Sequence, residues 1–227
     1  MGRPEAIQTL ARSLTERLRS LKAWGLRDLP RGVPALPARS SAEALGQLEQ
    51  EVIACTACPL FRTRTHHVMG EGRFDAKLVF VGEAPGRDED LQGRPFVGAA
   101  GQLLTKMIEA IDLRREEVYI CNVLKDRPPN NRTPLPEEVE ACLPFLLQQL
   151  AIIRPRVICT LGAVAAKALL GPTVSITAVR GRLQSYGHIP VMPTFHPAYL
   201  FRNPSAKRLV WQDLKRVKQL LNTSNAT

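Results

Sequence analysis

The sequence predicts an α/β fold: a three-layer α/β/α sandwich around a central, mostly parallel four-stranded sheet, with a helical extension at its N-terminus. Two observations carry this. Beyond residue 40, short runs rich in β-branched residues alternate with segments of helical periodicity, which is the pattern of βαβ units with helices on both faces of a sheet. Ahead of residue 40, an amphipathic stretch and then a proline-rich one set off a separate N-terminal piece. At 227 residues, one domain plus an extension is the natural size.

In chain order, residues 4–24 place Ile7, Leu10, Leu14, Leu18 and Leu21 at steps of three and four, so a helix with one apolar and one basic face is expected. It can serve as a partner helix, a docking helix on the main body, or an organelle-targeting peptide. Glu5 and Glu16 fit the last poorly, because targeting peptides are poor in acids. Residues 28–40 carry three prolines and read as a linker. The expected division is therefore 1–40, basic helix and linker; 41–222, the main domain; and 223–227, a short tail. Within the main domain, strands are expected over 77–82, 118–122, 156–161 and 189–194, and helices over 99–110, 136–150 and 163–170.

Charge is distributed unevenly. Residues 1–40 hold eight basic and three acidic side chains, residues 41–195 seventeen of each, and residues 196–227 six basic and one acidic, so the net charge of +10 lies in the two ends. Clustered Lys and Arg suit a polyanion such as nucleic acid, although solvated basic helix faces would look the same. No apolar run approaches the roughly 20 residues needed to cross a bilayer, and no secretory apolar region is evident. An intracellular protein without a membrane partner is expected, in the cytoplasm or nucleoid if bacterial. The five cysteines, Cys55, Cys58, Cys121, Cys142 and Cys159, are an odd number, which argues against a disulfide framework in such a chain. Cys159, inside an apolar strand run, reads as a small buried hydrophobe. Cys55 and Cys58 form a C-x2-C pair, a weak signal for a metal or cluster.

Three of the four predicted strands end in unusual polar sequence: Gly82-Glu83-Ala84-Pro85-Gly86, Asn122 and Phe195-His196-Pro197. Ligands of parallel sheets bind at the carboxyl ends of the strands, so these ends direct Glu83, Glu89, Asn122 and His196 toward one pocket with Phe96 nearby. An Asn amide complements a base edge carrying one acceptor and one N–H, an aromatic ring offers a stacking face, and a His donates toward developing negative charge. Carboxylates beside them can orient a water or stabilise an oxocarbenium-like sugar. Taken singly, each residue has an ordinary structural role: solvated loop acids, a turn former, a helix cap, a core ring. Their joint occurrence at strand ends favours a nucleobase pocket.

The stretch Val81-Gly82-Glu83-Ala84-Pro85-Gly86-Arg87-Asp88-Glu89-Asp90, continuing Gly93-Arg94-Pro95-Phe96-Val97-Gly98-Ala99-Ala100-Gly101, closely resembles the first motif of the family 4 uracil-DNA glycosylases, the iron–sulfur branch of that superfamily. Phe195-His196-Pro197-Ala198-Tyr199-Leu200 resembles its second motif, and Val118–Asn122 and Arg127-Pro128-Pro129-Asn130-Asn131-Arg132 match the segment between them. The resemblance covers roughly residues 50–220 and leaves residues 1–40 outside.

The resemblance implies an enzyme of base excision repair that flips deoxyuridine out of DNA, hydrolyses its N-glycosidic bond and leaves an abasic site. Phe96 would stack on the uracil, the Asn122 amide would read its O4 and N3–H edge, and His196 would donate to O2 as the bond stretches. Glu83 and Glu89 resemble the functional acids, one activating or holding water and one crowding the C5 edge against thymine, with the assignment open. Ala84 stands where family 1 enzymes carry an Asp, and Asn131 matches another position near the pocket. The segment after His196-Pro197, namely Tyr199, Leu200, Phe201 and Arg202, would enter the DNA where the base has left, with the basic residues beyond it beside the phosphates.

One departure stands out. Family 4 enzymes usually hold a [4Fe–4S] cluster with four cysteines, and here the resemblance supplies Cys55, Cys58 and Cys142, but the third position reads Lys125-Asp126-Arg127-Pro128-Pro129. Asp126 can complete a four-iron cluster, leave a three-iron or labile cluster with an open corner, or mark loss of the cluster or its replacement by zinc. Cys121 precedes Asn122 at a strand end and reads as a buried thiol. The rival function is a catalytically weak protein of the same fold that binds uracil or abasic DNA. A related branch cross-links to its product through a His in a basic inserted loop, and residues 127–134 run on without such a loop. The expected partner is uracil-containing DNA, bound by a monomer, with residues 1–40 available to a repair or replication protein.

Overall fold

The structure is a computed structural model and describes residues 40–223. The expected basic helix over 4–24, the linker to residue 39 and residues 224–227 lie outside them. The chain first forms α1 (Ser41–Ala54), started by a capping box in which the Ser40 hydroxyl accepts from Glu43 N and the Glu43 carboxylate accepts from Ser40 N. Six strands follow: β1 (Glu71–Gly72), β2 (Leu78–Gly82), β3 (Tyr119–Asn122), β4 (Val157–Leu161), β5 (Gln184–Tyr186) and β6 (Ile189–Thr194). Between and after them run α2 (Arg87–Gln92), α3 (Ala99–Glu109), α4 (Pro136–Ile153), α5 (Ala163–Leu170), α6 (Ile176–Val179), α7 (Pro197–Arg202) and α8 (Lys207–Thr223).

The sheet order is β1-β3-β2-β4-β6-β5, with β3, β2, β4 and β6 parallel and the two edge strands antiparallel to their neighbours. The expected four-stranded sheet is thus its parallel centre, and the full sheet has six strands. The added edges are two and three residues long, too short to show a period. Short antiparallel edges of this kind close off a parallel sheet that would otherwise offer pairing groups.

Alternation along the buried strands separates two cores. Val79 and Val81 of β2 face α1, α4 and α5 through Leu48, Val52, Leu146, Leu150 and Ala165. Leu78 and Phe80 face the opposite layer, formed by Leu104 and Ile108 of α3 and Val210, Leu214 and Val217 of α8. Three layers result, as the sequence predicts. The stripe Val210, Leu214 and Val217 buries α8, so the basic residues beyond Arg202 lie on a packed helix with its charges outward. Among the described residues, no helix is long and apolar enough to cross a membrane.

The chain leaves β2 for β3 on one side and returns to β4 on the other, so the strand order reverses beside β2. Such a reversal opens a crevice at the carboxyl ends of the strands.

Candidate functional site

That crevice is built first by glycine. Gly82 ends β2 directly opposite Asn122 at the end of β3. A Cβ on Gly82 would lie 2.3 Å from Asn122 Oδ1 and 2.6 Å from the Phe96 ring, so the missing side chain is what lets amide and ring converge. Gly82→Ala should therefore displace both groups. A shift near 1 Å at a positioning residue costs about 10²-fold in rate, and kcat/KM on a deoxyuridine oligonucleotide should fall by at least about that much.

Asn122 is 1% exposed, and its Oδ1 is buried without a hydrogen-bond partner. Such an orphan is uncommon, because leaving a buried acceptor unpaired costs about 1–3 kcal/mol. An acceptor held dry and unpaired beside an aromatic ring has the chemistry of half a base-reading amide. Its backbone is fixed from behind: Lys125 Nζ, 1% exposed, donates to Asn122 O (2.7 Å) and to Gln149 Oε1 (2.6 Å). Gln149 Nε2 in turn donates to Met69 O (2.8 Å) and Tyr119 Oη (3.1 Å). The loop continuing β3 is zipped to the loop after β2 by Val123 N to Gly82 O and Leu124 N to Glu83 O.

Phe96 is buried, yet it adopts φ 51°, the left-handed region that an aromatic residue rarely occupies. Its neighbours hold it there. Arg115 Nη2 donates to Pro95 O (2.6 Å) on one side, and on the other Glu89 Oε1 accepts from Val97 N and Gly98 N, each at 2.9 Å. Glu89 Oε2 also accepts from Gly86 N (3.0 Å), so both oxygens of this carboxylate are engaged by backbone. Gly101 permits α3 to start this close, since a Cβ there would fall 1.7 Å from Phe96 O. Strain of this kind persists where the surroundings over-determine it and is concentrated at functional sites.

His196 caps α7, with its Nδ1 accepting from Ala198 N (3.2 Å). The acceptor at Nδ1 puts the proton of a neutral imidazole on Nε2. Burial holds the imidazole pKa down at about 4, opposed only by the charge of Glu89, so the ring is neutral at ordinary pH. Its centroid lies 5.6 Å from that of Phe96, at an interplanar angle of 31°. The strand behind it is anchored by Asp213 of α8, 1% exposed, which accepts from Thr194 Oγ1 (2.7 Å) and pairs with Arg180.

Glu83 follows Gly82, and its pKa is raised by burial, with no charge or hydrogen bond offsetting it. It is the unengaged carboxyl group at this strand end. Ala84 is half-buried against the first core and brings only a methyl group. Asn131 lies exposed in the turn Pro129–Asn131 at φ 54°, with its Oδ1 taken by Arg127 Nε at 2.7 Å.

A family model described as the uracil DNA glycosylase superfamily matches residues 69–215, a span that includes all of these groups. The chain belongs to the uracil-DNA glycosylase superfamily. It is 52% identical to a type-4 uracil-DNA glycosylase of Thermotoga maritima over 183 residues, covering 79% of this chain and 95% of that protein. It is 45% identical to a type-4 enzyme of Archaeoglobus fulgidus, covering 82% and 97%, and 31% identical to a type-5 enzyme of Pyrobaculum aerophilum, covering 64% and 71%.

For a member of this superfamily, α7 presents a divided surface. Tyr199 and Phe201 are exposed, at 38% and 54%, and Arg202 is exposed beside them, whereas Leu200 is 2% exposed and packed in the second core. Leu200 is thus not available as expected from the sequence. The helix turns it inward, and Phe201 is the outward apolar group.

Of the four expected cluster residues, Cys58 and Cys142 meet, and Asp126 is near enough to act on Cys58 electrostatically. The Cys142 thiol hydrogen-bonds to Cys58, which lowers the Cys58 pKa. Cys55 is the C-cap of α1 and only partly buried. The Asp126 carboxylate faces Arg64, whose Nη1 is 3.2 Å from each of its oxygens. Among the described residues, no three His, Cys, Asp or Glu side chains are placed to hold a metal ion. Cys121 and Cys159 are fully buried in strands, and burial pushes the Cys121 thiol up to about 11.

Sequence reasoning missed the groups that brace the site: Lys125 with Gln149, Arg115, Asp213 and Arg64. Only Lys125 carries a signal, as a lone cation directly after Val123 and Leu124 in a buried run.

Proposed function

We propose that the chain is a uracil-DNA glycosylase that removes uracil from DNA and leaves an abasic site. The observation that carries the reading is the orphaned Asn122 Oδ1 set against a clamped Phe96 ring over Gly82. A flipped uracil would satisfy the orphan, with its N3–H donating to Oδ1 while O4 accepts from the Asn122 amide N–H. Cytosine offers an acceptor at N3 and a donor at N4 and would leave both mismatched. On the other side of the base, neutral His196 offers Nε2–H toward O2, where negative charge develops as the glycosidic bond stretches. A donor already in place, in a site with little water, stabilises that charge without reorganisation.

The two acids separate by environment. Glu89, with three backbone N–H groups on its carboxylate, is a positioning residue that holds the Phe96 loop. Glu83 is the acid left to orient water or to face the sugar cation, and its raised pKa strengthens it as a base. Glu83→Gln should lower kcat by about 10²–10⁴-fold with little change in melting temperature. Glu89→Gln should instead cost about 1–3 kcal/mol of stability, because its amide N–H₂ would meet backbone donors. Denaturation curves and single-turnover rates on both variants decide the assignment.

Tyr199, Phe201 and Arg202 are the outward groups of α7, so Phe201 is proposed as the wedge filling the gap left by the flipped base. Lys207, Arg208 and Lys215, exposed on α8, would lie toward the phosphates.

An iron–sulfur cluster of the kind the resemblance implies would draw on Cys55, Cys58 and Cys142. With Asp126 held by Arg64, the donor set does not fit a four-ligand cluster, and no step above depends on one.

Base release from matched duplexes carrying deoxyuridine, thymidine or deoxycytidine at one position tests the reading. Release from deoxyuridine alone is expected; equal release from deoxycytidine would contradict the role of Asn122.

A further inference from the structure

We infer that Asp126 is the counter-ion of Arg64 and not an iron ligand, so that an ion pair takes the place of one corner of the cluster and the chain cannot close a four-iron site. This goes beyond the glycosylase reading, which stands with or without a cluster.

The geometry points this way from both partners. Arg64 Nη1 lies 3.2 Å from Asp126 Oδ1 and 3.2 Å from Oδ2, across 62 residues of sequence. The same guanidinium donates to Val52 O (3.3 Å) and Ile53 O (2.5 Å), in the last turn of α1 just ahead of Cys55. Arg64 therefore ties the Cys55 segment to the segment after β3. A cluster bound by Cys55 and by residue 126 would tie the same two segments.

The surroundings of the pair oppose ligation. The side chains are 17% and 7% exposed, so this pair is poorly screened by salt. For Asp126 to bind iron, its carboxylate would have to leave Arg64, stripping a mostly buried guanidinium of its hydrogen-bonded carboxylate. Breaking a buried pair from one side is strongly destabilising. A carboxylate oxygen is also a harder ligand than the thiolates beside it and matches sulfur-bridged iron poorly.

The experiment uses the full chain, purified without oxygen and then treated with ferrous iron and sulfide. Iron and acid-labile sulfide per chain, visible absorption and melting temperature are read for the wild type, Asp126→Asn and Asp126→Cys. A complete cluster contains about four irons on four thiolates. The wild type should hold fewer than four, Asp126→Cys should rise to about four with a gain in colour, and Asp126→Asn should keep the wild-type iron content while melting lower. Four irons in the wild type, or loss of iron in Asp126→Asn, would make Asp126 a ligand and overturn the inference. No gain in Asp126→Cys would equally overturn it, because the ion pair would then not stand at a cluster corner. Arg64→Met should lower the melting temperature of the wild type, and an unchanged value would show that the pair holds nothing.

Discussion

Asn122→Ala should lose about 10²–10³-fold in kcat/KM on deoxyuridine while its melting temperature stays within a few degrees of the wild type. The first half follows from the missing donor and acceptor. A polar group aimed at the reacting base is worth about that much when deleted. The second half follows from the orphan. Truncation opens a small cavity, which destabilises, but it also removes a buried acceptor whose isolation costs about 1–3 kcal/mol, and the two effects oppose one another. A residue kept for structure would show the reverse pattern, with a large fall in melting temperature and a proportionate fall in activity. Thermal denaturation and single-turnover kinetics on the same preparation separate the two. A variant that unfolds yet retains its rate where folded would make Asn122 a structural residue only.

His196→Ala should lower kcat by about 10²–10³-fold, since it removes the donor at the departing anion. The wild type carries a pH signature of its own. With the folded pKa held at about 4, His196 stays neutral through the whole range in which a free histidine titrates. Activity should therefore show no His196 limb between about pH 5 and 8. Stability behaves differently. Above about pH 6.5 neither state binds a proton at this ring; as the pH falls from there toward 4, the unfolded chain binds one and the folded chain does not. The folded state should lose up to about 3 kcal/mol over that window through this group, and His196→Ala should lose correspondingly less. NMR titration of the ring gives the pKa directly. A value near 6.5, or an activity limb there that disappears in the variant, would contradict a pre-neutralised donor.

Much of this architecture was legible because buried parallel strands are written as continuous apolar runs. Residues 78–82, 119–122, 157–161 and 189–194 form strands within a residue of their expected bounds. β1 and β5 were not legible, since Glu71–Gly72 and Gln184–Tyr186 are too short for any periodicity. The helix α8 is written in the stripe Val210, Leu214 and Val217, which is interleaved with Lys207, Arg208, Lys215, Arg216 and Lys218.

At the site, Phe96, Asn122 and His196 were legible as a group because strand ends converge. What sequence could not separate were Glu83 and Glu89. Both are acids in one motif, and only the folded loop shows that Val97 N and Gly98 N come back to occupy Glu89. Leu200 and Phe201 pose the same problem on α7, where adjacent apolar residues point to opposite sides and nothing local says which side is core. The substitution at residue 126 was visible in the motif, but its partner Arg64 was not, because no pattern links a loop arginine to an acid so distant in the chain.

Turnover at this pocket can be read in a single assay. An oligonucleotide with a single deoxyuridine, in excess over the protein, is incubated and then treated with alkali to cleave at abasic sites. Many abasic sites per protein molecule are expected, and they should be lost in Asn122→Ala. Product that stops at or below one equivalent per protein, with the oligonucleotide still bound, would contradict it and leave a binding protein in the enzyme's fold.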